Sequence, residues 1–229
     1  MIAERIAEIR KLALFADISD DAFKSLTRGA YIQNFPPHTE LITQGEAADF
    51  LHIVISGSVE LFSTWNNRET TMATVWPVSS FILAAAIIDQ PYLMSARTSG
   101  KCRIIMLPSQ DVRSVFDTDT EFARAIVAEL ADHYRAGIRN TKNLKLRTST
   151  ERLANYLIRC RRTKGDHPSF ELRYEKRRLA SYLGMTPENL SRAFNALKPY
   201  GVKVEGQRVH IKTLDDLAHF AKPDRSIDG

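Results

Sequence analysis

The sequence predicts an α+β protein in which an antiparallel β-roll is followed by a long helix and a basic second domain. The hydrophobic period changes from helical to alternating near Tyr31 and returns to helical near Thr118. Between these points, short apolar runs are separated by glycines, which is typical of a small barrel or jelly roll. Residues 147–229 then carry 17 lysine and arginine residues against 10 acidic ones, whereas residues 1–146 carry 15 against 17.

Composition excludes several classes of protein. The 229 residues, 44% of them hydrophobic, suffice for one large or two modest folded domains. The longest apolar run, Phe81–Ile88, is too short to span a bilayer, and Met1–Phe15 mixes charges into its apolar residues, unlike a signal peptide. Cys102 and Cys160 alone cannot make a disulfide framework or hold a four-cysteine iron–sulfur cluster. We therefore expect a soluble, cytoplasmic protein with no membrane partner.

The first predicted elements are two helices. Spacings of three and four residues predict an amphipathic first helix, whose apolar stripe is Ile2, Ile6, Ile9 and Ala13. Ser19, followed by two aspartates, is a good cap for the second helix because its hydroxyl can accept a backbone hydrogen bond.

The alternating region predicts the roll. His52 and Val54 share one face of a strand, and Leu51 and Ile53 share the other. Asn66 and Asn67 mark a hairpin tip, since asparagine tolerates the left-handed conformation that tight turns require. The Ala-rich stretch 81–88 favours a short helix within the roll.

A long helix is predicted from Thr118, where Thr118-x-x-Glu121 forms a capping box. Its apolar stripe is larger than the surface that one flank of a small roll can cover. We therefore expect a parallel dimer seam rather than a helix that only packs on the roll. The expected seam residues are Ile126, Val127, Leu130, Tyr134, Gly137, Ile138 and Thr141. Residues 140–149 form a polar hinge, which divides the chain into a sensor roll (1–117), a dimerisation helix with hinge (118–146) and a basic domain (147–229).

The basic domain contains a helix-turn-helix pattern. A second capping box, Thr148-x-x-Glu151, opens its first helix. In residues 176–198 a short helix ends at Gly184, and Thr186 caps a second helix whose first residue is Pro187. The inward side of that helix is apolar, being formed by Leu190, Ala193, Phe194 and Leu197. A hairpin around Glu205-Gly206 follows as a wing, and residues 223–229 are expected to form a frayed tail.

The outward side of the second helix is suited to reading bases in double-stranded DNA. Arg192 can bond guanine O6 and N7, and Glu188 can accept from a cytosine amino group. The full outward set is Glu188, Ser191, Arg192 and Asn195. The expected phosphate contacts are Lys176, Arg177, Arg178, Thr186, Lys198 and Arg208. The alternative is that these four outward residues form an ordinary solvated helix face. The glycine turn and the basic flank favour DNA binding over this alternative.

The order of roll, long helix, hinge and winged helix-turn-helix resembles the superfamily of the cyclic-AMP receptor protein and the fumarate–nitrate reductase regulator. The segments that carry the resemblance are Thr43–Glu46, Ile55–Leu61 and Leu179–Leu197. The resemblance implies a cyclic-nucleotide-binding-like jelly roll and a homodimeric transcription regulator with DNA and RNA polymerase as partners. It also implies a TTGAT half-site paired with an inverted ATCAA across four bases, read by the E-x-x-S-R residues Glu188, Ser191 and Arg192. No nucleophile–base pair, phosphate loop or metal spacing indicates an enzyme.

Two departures from the superfamily pattern concern the signal. The Gly-Glu pair that holds a cyclic nucleotide is replaced by Ile82-Leu83, and the Arg-Ser pair by Tyr92-Leu93, so we expect no cyclic nucleotide. There is no cysteine before Cys102, which excludes the N-terminal iron–sulfur cluster of the oxygen sensors.

The apolar replacement resembles the nitric-oxide-responsive regulators of nitrite and nitric oxide reductase in denitrifying bacteria. That resemblance implies a pocket for nitric oxide or another small effector, lined by Phe81, Ile82, Leu83, Tyr92, Leu93 and Met94. It also implies haem, for which the candidate ligands are His38, His52 and His133. The alternatives are a related regulator with a different effector and a cyclic-nucleotide-type binding module without catalysis.

Overall fold

The computed structural model describes residues 9, 10 and 12–229, so Ile2 and Ile6 of the predicted first helix lie outside the described residues. The chain divides into two compact units, of which one ends at His133 and the other is Tyr134–Gly229. No helix in the described part of the chain is long and apolar enough to cross a membrane.

The first helices given for the described residues are α1 (Ala13–Ala16) and α2 (Asp20–Arg28). The Ser19 hydroxyl accepts a hydrogen bond from the Ala22 N–H at 3.2 Å, which confirms the predicted cap. Two aspartates follow in the first turn of α2, where the positive end of the helix dipole favours them.

The centre of the first unit is a β-roll of two four-stranded antiparallel sheets. Their strand orders are β1-β8-β3-β6 and β2-β7-β4-β5. The strands are β1 (Tyr31–Phe35), β2 (Glu40–Ile42), β3 (Phe50–Ser56), β4 (Val59–Trp65), β5 (Arg68–Val75), β6 (Ser79–Phe81), β7 (Ser95–Thr98) and β8 (Cys102–Pro108). Apolar side chains from both sheets form one buried cluster, which we call the roll interior. Its best-buried members include Val54, Val59, Ala96 and Ile104.

Strand β3 separates two cores, as its alternation predicts. Val54 lies in the roll interior. Leu51 and Ile53 pack instead in a second cluster with the helices, which we call the cluster beneath the roll. The predicted hairpin tip is also confirmed, because Asn66 and Asn67 both have positive φ and connect β4 to β5. Two consecutive left-handed residues match the twist of a tight hairpin.

The prediction of one helix over residues 81–88 is partly wrong. Phe81 ends strand β6, which pairs with β3, and Ile82 adopts a left-handed conformation with φ of 62°. The helix α3 therefore begins at Leu83 and ends at Ile88. Pairing with a strand distant in sequence overrides the local helix preference here.

The predicted capping box at Thr118 does not form. Thr118 is the last residue of α4 (Ser109–Thr118), and its hydroxyl donates to the Ser114 carbonyl at 2.9 Å. The long helix α5 (Thr120–Leu146) is capped instead by Asp119, whose Oδ1 accepts from the Phe122 N–H at 2.9 Å. Aspartate caps a helix as well as threonine does, so the neighbouring residue could take the role.

Helix α5 contributes to the core of its own chain, and this corrects one predicted seam residue. Phe122 and Ile126 are fully buried in the cluster beneath the roll, where the Phe122 ring stacks on Phe15 at 6.0 Å. Leu130 packs partly against the same cluster. A side chain with no exposed surface cannot contact a partner chain, so Ile126 belongs to the core rather than to a dimer seam.

The second unit is a winged helix-turn-helix. Its elements after α5 are α6 (Ser149–Thr163), β9 (Ser169–Glu171), α7 (Lys176–Tyr182), α8 (Pro187–Ala196), β10 (Val202–Glu205), β11 (Arg208–Ile211), α9 (Leu214–Ala221) and α10 (Arg225–Asp228). The wing is a three-stranded sheet of order β10-β11-β9. Thr148 and Glu151 form the predicted capping box. Because α5 continues to Leu146, most of the predicted hinge over 140–149 is helical.

The prediction of a frayed tail over residues 223–229 is wrong. Residues 225–228 form α10, whose cap Asp224 accepts from the Ser226 N–H at 2.7 Å. Asp228 makes a buried ion pair with Arg147, 81 residues earlier in the chain. The local composition gives no sign of this contact, because the partner is distant in sequence.

Candidate DNA-binding and effector sites

The two helices α7 and α8 and the turn between them carry the candidate DNA-binding site. Gly184 takes the left-handed conformation in the turn, with φ of 63°. The Thr186 hydroxyl accepts from the Asn189 N–H at 3.2 Å, and Pro187 begins α8. The inward side of α8 is buried as the sequence predicts, through Leu190, Ala193, Phe194 and Leu197. The rotation of α8 about its axis is therefore fixed by the core.

The opposite side of α8 is open to solvent. The four predicted base-reading residues Glu188, Ser191, Arg192 and Asn195 are all exposed there. The pKa of the Glu188 carboxyl lies below its ordinary value because its own backbone N–H and the Thr186 hydroxyl donate to it, and the Arg192 charge adds to this. An ionised Glu188 is an acceptor only, which suits it to a cytosine amino group.

The six predicted phosphate-binding residues differ in their surroundings. Lys176 and Arg177 are exposed in the first turn of α7, and Lys198 is exposed just after α8. The Arg208 guanidinium pairs with Glu171 at 3.2 Å, between exposed side chains of the wing. Arg178 is half-buried, and its guanidinium lies 5.5 Å from the centre of the Tyr174 ring. Thr186 is the helix cap described above.

Sequence reasoning missed Arg152, which holds the turn of the helix-turn-helix. Its guanidinium is buried and donates to the carbonyls of Leu183 at 2.9 Å and Gly184 at 3.2 Å. It also donates to the Arg147 carbonyl at 2.7 Å. Burial lowers the pKa of Arg152. No local pattern in the sequence indicates this contact, because the Leu183 and Gly184 carbonyls lie 31 and 32 residues further along the chain.

The candidate effector site is the roll interior. Phe81 and Tyr92 are buried there, and Ile82 and Met94 pack partly against the same cluster. Leu83 belongs instead to the cluster beneath the roll, and Leu93 is 83% exposed. The structure thus brings together four of the six predicted pocket residues. A side chain in a different core, or one pointing into solvent, cannot line the same pocket.

Tyr92 is tied to the glycine segment that carries part of the family resemblance. Its carbonyl accepts from the Gly45 N–H at 2.8 Å, and its N–H donates to the Glu46 carbonyl at 2.9 Å. Because the backbone of Tyr92 is bonded in both directions, its ring is held at the edge of the roll interior.

His52 is the one haem-ligand candidate inside the roll. Its ring stacks on Phe81 at 5.1 Å and meets the edge of Phe50 at 6.5 Å. Burial lowers its pKa to about 4, although a hydrogen bond with the Phe50 backbone acts in the opposite direction. Its buried Nδ1 has no hydrogen-bond partner among the described residues. His38 and His133 are both exposed, in a loop and on α5 respectively.

The arginine on β7 is not free to bind a phosphate. The Arg97 Nε lies 3.0 Å from Glu60, and its Nη2 lies 2.6 Å from Glu69. Its guanidinium also lies 4.3 Å from the centre of the Phe62 ring. The neighbouring Ala96 points into the roll interior, so Arg97 lies on the opposite face of the strand.

A row of apolar side chains on α5 remains exposed within the single chain. Val127, Tyr134 and Ile138 are 61%, 71% and 45% exposed. Gly137 and Thr141 lie along the same row and are also exposed. A Cβ atom added at Gly137 would meet no atom of the described chain within 4 Å, so packing within the chain does not require glycine there. Exposed apolar rows of this kind mark contact surfaces.

Two family models match this chain, one in each half. Residues 32–119 match the model of the cyclic nucleotide-binding domain, and residues 151–220 match the model of the Crp-like helix-turn-helix domain. The CRP-like cAMP-activated global transcriptional regulator of Mycobacterium tuberculosis is 23% identical over 220 residues, which are 93% of this chain and 98% of that protein.

Two solved structures are also similar. A regulatory protein from Silicibacter pomeroyi DSS-3 has 28% sequence identity and a TM-score of 0.59, over 96% of this chain and 100% of that one. The sensor domain of the transcriptional regulator DNR from Pseudomonas aeruginosa has 19% identity and a TM-score of 0.51, over 56% and 91%. At 19% identity, the similarity to this second structure is a similarity of fold alone.

A roll of the cyclic nucleotide-binding type joined to a Crp-like helix-turn-helix defines a class of DNA-binding transcription regulators. The predicted fold class is thereby confirmed. Within that class the chain belongs to the CRP/FNR family.

The burial of His52 predicts a pH-dependent stability of the roll. Its pKa in the folded chain, about 4, is below the ordinary 6.5, so between these values the unfolded chain binds a proton that the folded chain does not. The free energy of unfolding should therefore fall as the pH falls through this window, by about 3 kcal/mol. Both tryptophans, Trp65 and Trp76, lie in the first unit, so urea unfolding followed by tryptophan fluorescence reports on it.

His52→Leu should remove this part of the pH dependence, because leucine does not titrate. His38→Leu, at an exposed position, is the matched control and should keep the dependence of the parent protein. If His52→Leu loses stability with acid as steeply as the parent protein does, the buried imidazole is not its source.

Proposed function

We propose that the protein is a homodimeric regulator that binds a TTGAT-type palindrome and responds to nitric oxide, so as to control denitrification genes. The observation that carries the DNA-binding part is the exposed row on α8, which sets Glu188, Ser191 and Arg192 opposite a fully buried apolar side. In a winged helix-turn-helix this row faces the major groove.

Each residue in the row has a distinct proposed role. Arg192 reads guanine through two hydrogen bonds, and the ionised Glu188 accepts from a cytosine amino group. Ser191 makes short contacts with a thymine or adenine edge, and Asn195 extends the row by one helical turn. Lys176, Arg177, Arg178, Thr186, Lys198 and Arg208 position the protein on the phosphates. The family resemblance adds RNA polymerase as a partner.

The exposed row on α5 supports the homodimer. Val127, Tyr134 and Ile138 place apolar surface along one side of a 27-residue helix, and Gly137 lets a second helix approach closely. A two-fold dimer presents two α8 helices to the two halves of a palindrome.

An uncharged signal is supported by the chemistry of the roll interior. The interior is apolar, and the nearby cation Arg97 is already paired with Glu60 and Glu69 on the other face of its strand. A cyclic-nucleotide phosphate would therefore be desolvated there without a charge partner. Nitric oxide is small and uncharged, so it carries no such cost.

Of the three candidate haem ligands, His52 is the one that would hold the iron from inside the roll. A neutral, buried imidazole with an unpartnered nitrogen offers the lone pair that a metal ligand requires. When bound, haem supplies an iron to which nitric oxide binds. The protein's own part is to hold the imidazole between two aromatic rings and to exclude water from it.

Arg192→Ala should weaken binding to a TTGAT palindrome by about 1–3 kcal/mol, with the loss concentrated at the guanine position. Fluorescence anisotropy with the palindrome, with a guanine-substituted palindrome and with random DNA measures this. Equal losses on all three duplexes would remove Arg192 from the reading role.

Lys198→Ala is the matched control for that experiment, because it also removes one positive charge beside α8. It should weaken specific and random DNA alike and reduce the slope of log K against log salt by about one unit.

Ile138→Glu should weaken the dimer by about tenfold or more, because it places a charge in an apolar seam. Sedimentation equilibrium measures the dissociation constant. Ala136→Glu is the control, since about 100° per residue puts it on the opposite side of α5. Equal effects of the two variants, or a monomeric parent protein, would count against this seam.

Haem added to the purified protein should give an absorption band that shifts again with nitric oxide. His52→Leu should abolish the ligand-dependent part of this spectrum, whereas His38→Leu and His133→Leu should keep it. If the band is lost in His38→Leu or His133→Leu instead, the histidine replaced in that variant is the haem ligand and His52 is not. The absence of any haem band, or a change in DNA affinity on adding cyclic AMP, would contradict the proposed signal.

A further inference from the structure

The short helix α10 is joined to the junction between α5 and α6 by a buried ion pair. The Arg147 Nη1 and Nη2 atoms each donate to one carboxylate oxygen of Asp228, both at 2.7 Å. The two side chains are only 7% and 9% exposed. A two-point contact of this kind fixes the direction as well as the distance between the groups.

Further contacts reinforce the pair. The Lys142 Nζ donates to the Ser226 hydroxyl at 2.6 Å, and the Asp224 N–H donates to Asp228 at 2.8 Å. Arg147 also donates to the Asn143 side chain at 3.2 Å. Helix α10 therefore contacts the last turns of α5 and the residue that follows them. We call Lys142, Arg147, Ser226 and Asp228 the hinge clasp.

The carboxylate of the clasp is held in its ionised form. Burial acts to raise the pKa of Asp228, but the hydrogen bonds from Arg147 and from the Asp224 backbone outweigh it and lower the pKa. A buried ion pair is a poor source of stability compared with apolar packing, whereas its geometry is strict. The pair is thus better suited to fixing an angle than to holding the domain together.

The clasp is connected to the helix that faces DNA. The carbonyl of Arg147 accepts from Arg152, and the same guanidinium donates to Leu183 and Gly184 in the turn before α8. A chain of hydrogen bonds thus runs from Asp228 through Arg147 and Arg152 to the turn. Within this unit, the direction in which α5 ends is fixed relative to the recognition helix.

In a dimer joined along α5, that direction decides how far apart the two recognition helices lie. Half-sites are read about one helical turn of DNA apart, roughly 34–36 Å, and one base pair more or less changes both their separation and their rotation. A loose junction tolerates several spacings, whereas a clamped one accepts one.

We propose that the hinge clasp determines which half-site spacing the protein accepts, with Arg147 and Asp228 as positioning residues that do not touch DNA. This inference rests on the proposed function, since it requires a dimer on a palindrome. It assigns specificity for spacer length to a contact distinct from the base-reading row.

The test uses the full chain and a set of duplexes that carry TTGAT and ATCAA separated by four base pairs, and by one or two base pairs fewer or more. The parent protein should favour one spacer sharply. Asp228→Asn keeps the shape of the side chain but removes its charge, and it should reduce the preference for that spacer by about fivefold or more, the lower end of typical coupling between sites. The charge swap Arg147→Asp with Asp228→Arg should restore much of the preference.

Asp216→Asn is the matched control, because it removes the same charge from an exposed position on α9. It should keep the spacer profile of the parent protein. Ser226→Ala removes the Lys142 contact and the hydrogen bond between the Ser226 hydroxyl and Asp224, but it leaves the Arg147–Asp228 pair in place. It should shift the profile in the same direction by a smaller amount, so it carries the test if Asp228→Asn does not fold.

The possible outcomes distinguish a failure of the proposed function from a failure of the proposed role of the hinge clasp. A parent protein that binds no spacer better than random DNA contradicts the proposed function. A parent protein with a sharp preference that the folded clasp variants retain overturns the clasp alone. Equal weakening on every spacer, with a lower melting temperature, would also overturn it, because that pattern indicates a stabilising contact only.

Discussion

Helix α5 has two apolar surfaces, one buried in its own chain and one left exposed, and the proposed assembly depends on this division. Phe122 and Ile126 are fully buried in the core of the first unit, whereas Val127, Tyr134 and Ile138 remain exposed. The buried residues fix the helix in its own chain, and the exposed ones leave an apolar row that a single chain does not cover. A dimer joined along α5 would cover this row and present two α8 helices to a palindrome.

Features that are encoded locally could be predicted from the sequence. Alternation in β3, the Asn66-Asn67 turn, the Thr148 capping box and the Thr186-Pro187 start of α8 each involve residues within a few positions of one another. The two errors in α5 have different causes. Asp119 takes the capping role in place of Thr118 through a shift of one residue. Ile126 lies in the core rather than in a seam because periodicity alone cannot tell which of two apolar stripes faces the core.

Buried charges account for most of what the sequence could not show. Arg152 and Asp228 find partners 31 and 81 residues away, and such pairs leave no pattern in the local sequence. Arg97 illustrates the same point in the roll, where its partners Glu60 and Glu69 lie 37 and 28 residues away in the sequence. His52 is one of three candidate ligands in the sequence, and only the tertiary structure distinguishes it, through its burial beside Phe50 and Phe81.

Ile126 and Val127 are adjacent, yet one is fully buried and the other is 61% exposed. Consecutive residues on a helix differ by about 100° in azimuth, so the core contact of the first sets the angular phase of the second. Any repacking around Phe122 and Ile126 would therefore turn the neighbouring Val127 by the same angle. The packing of the first unit thus determines the direction in which Val127 presents its apolar surface to solvent.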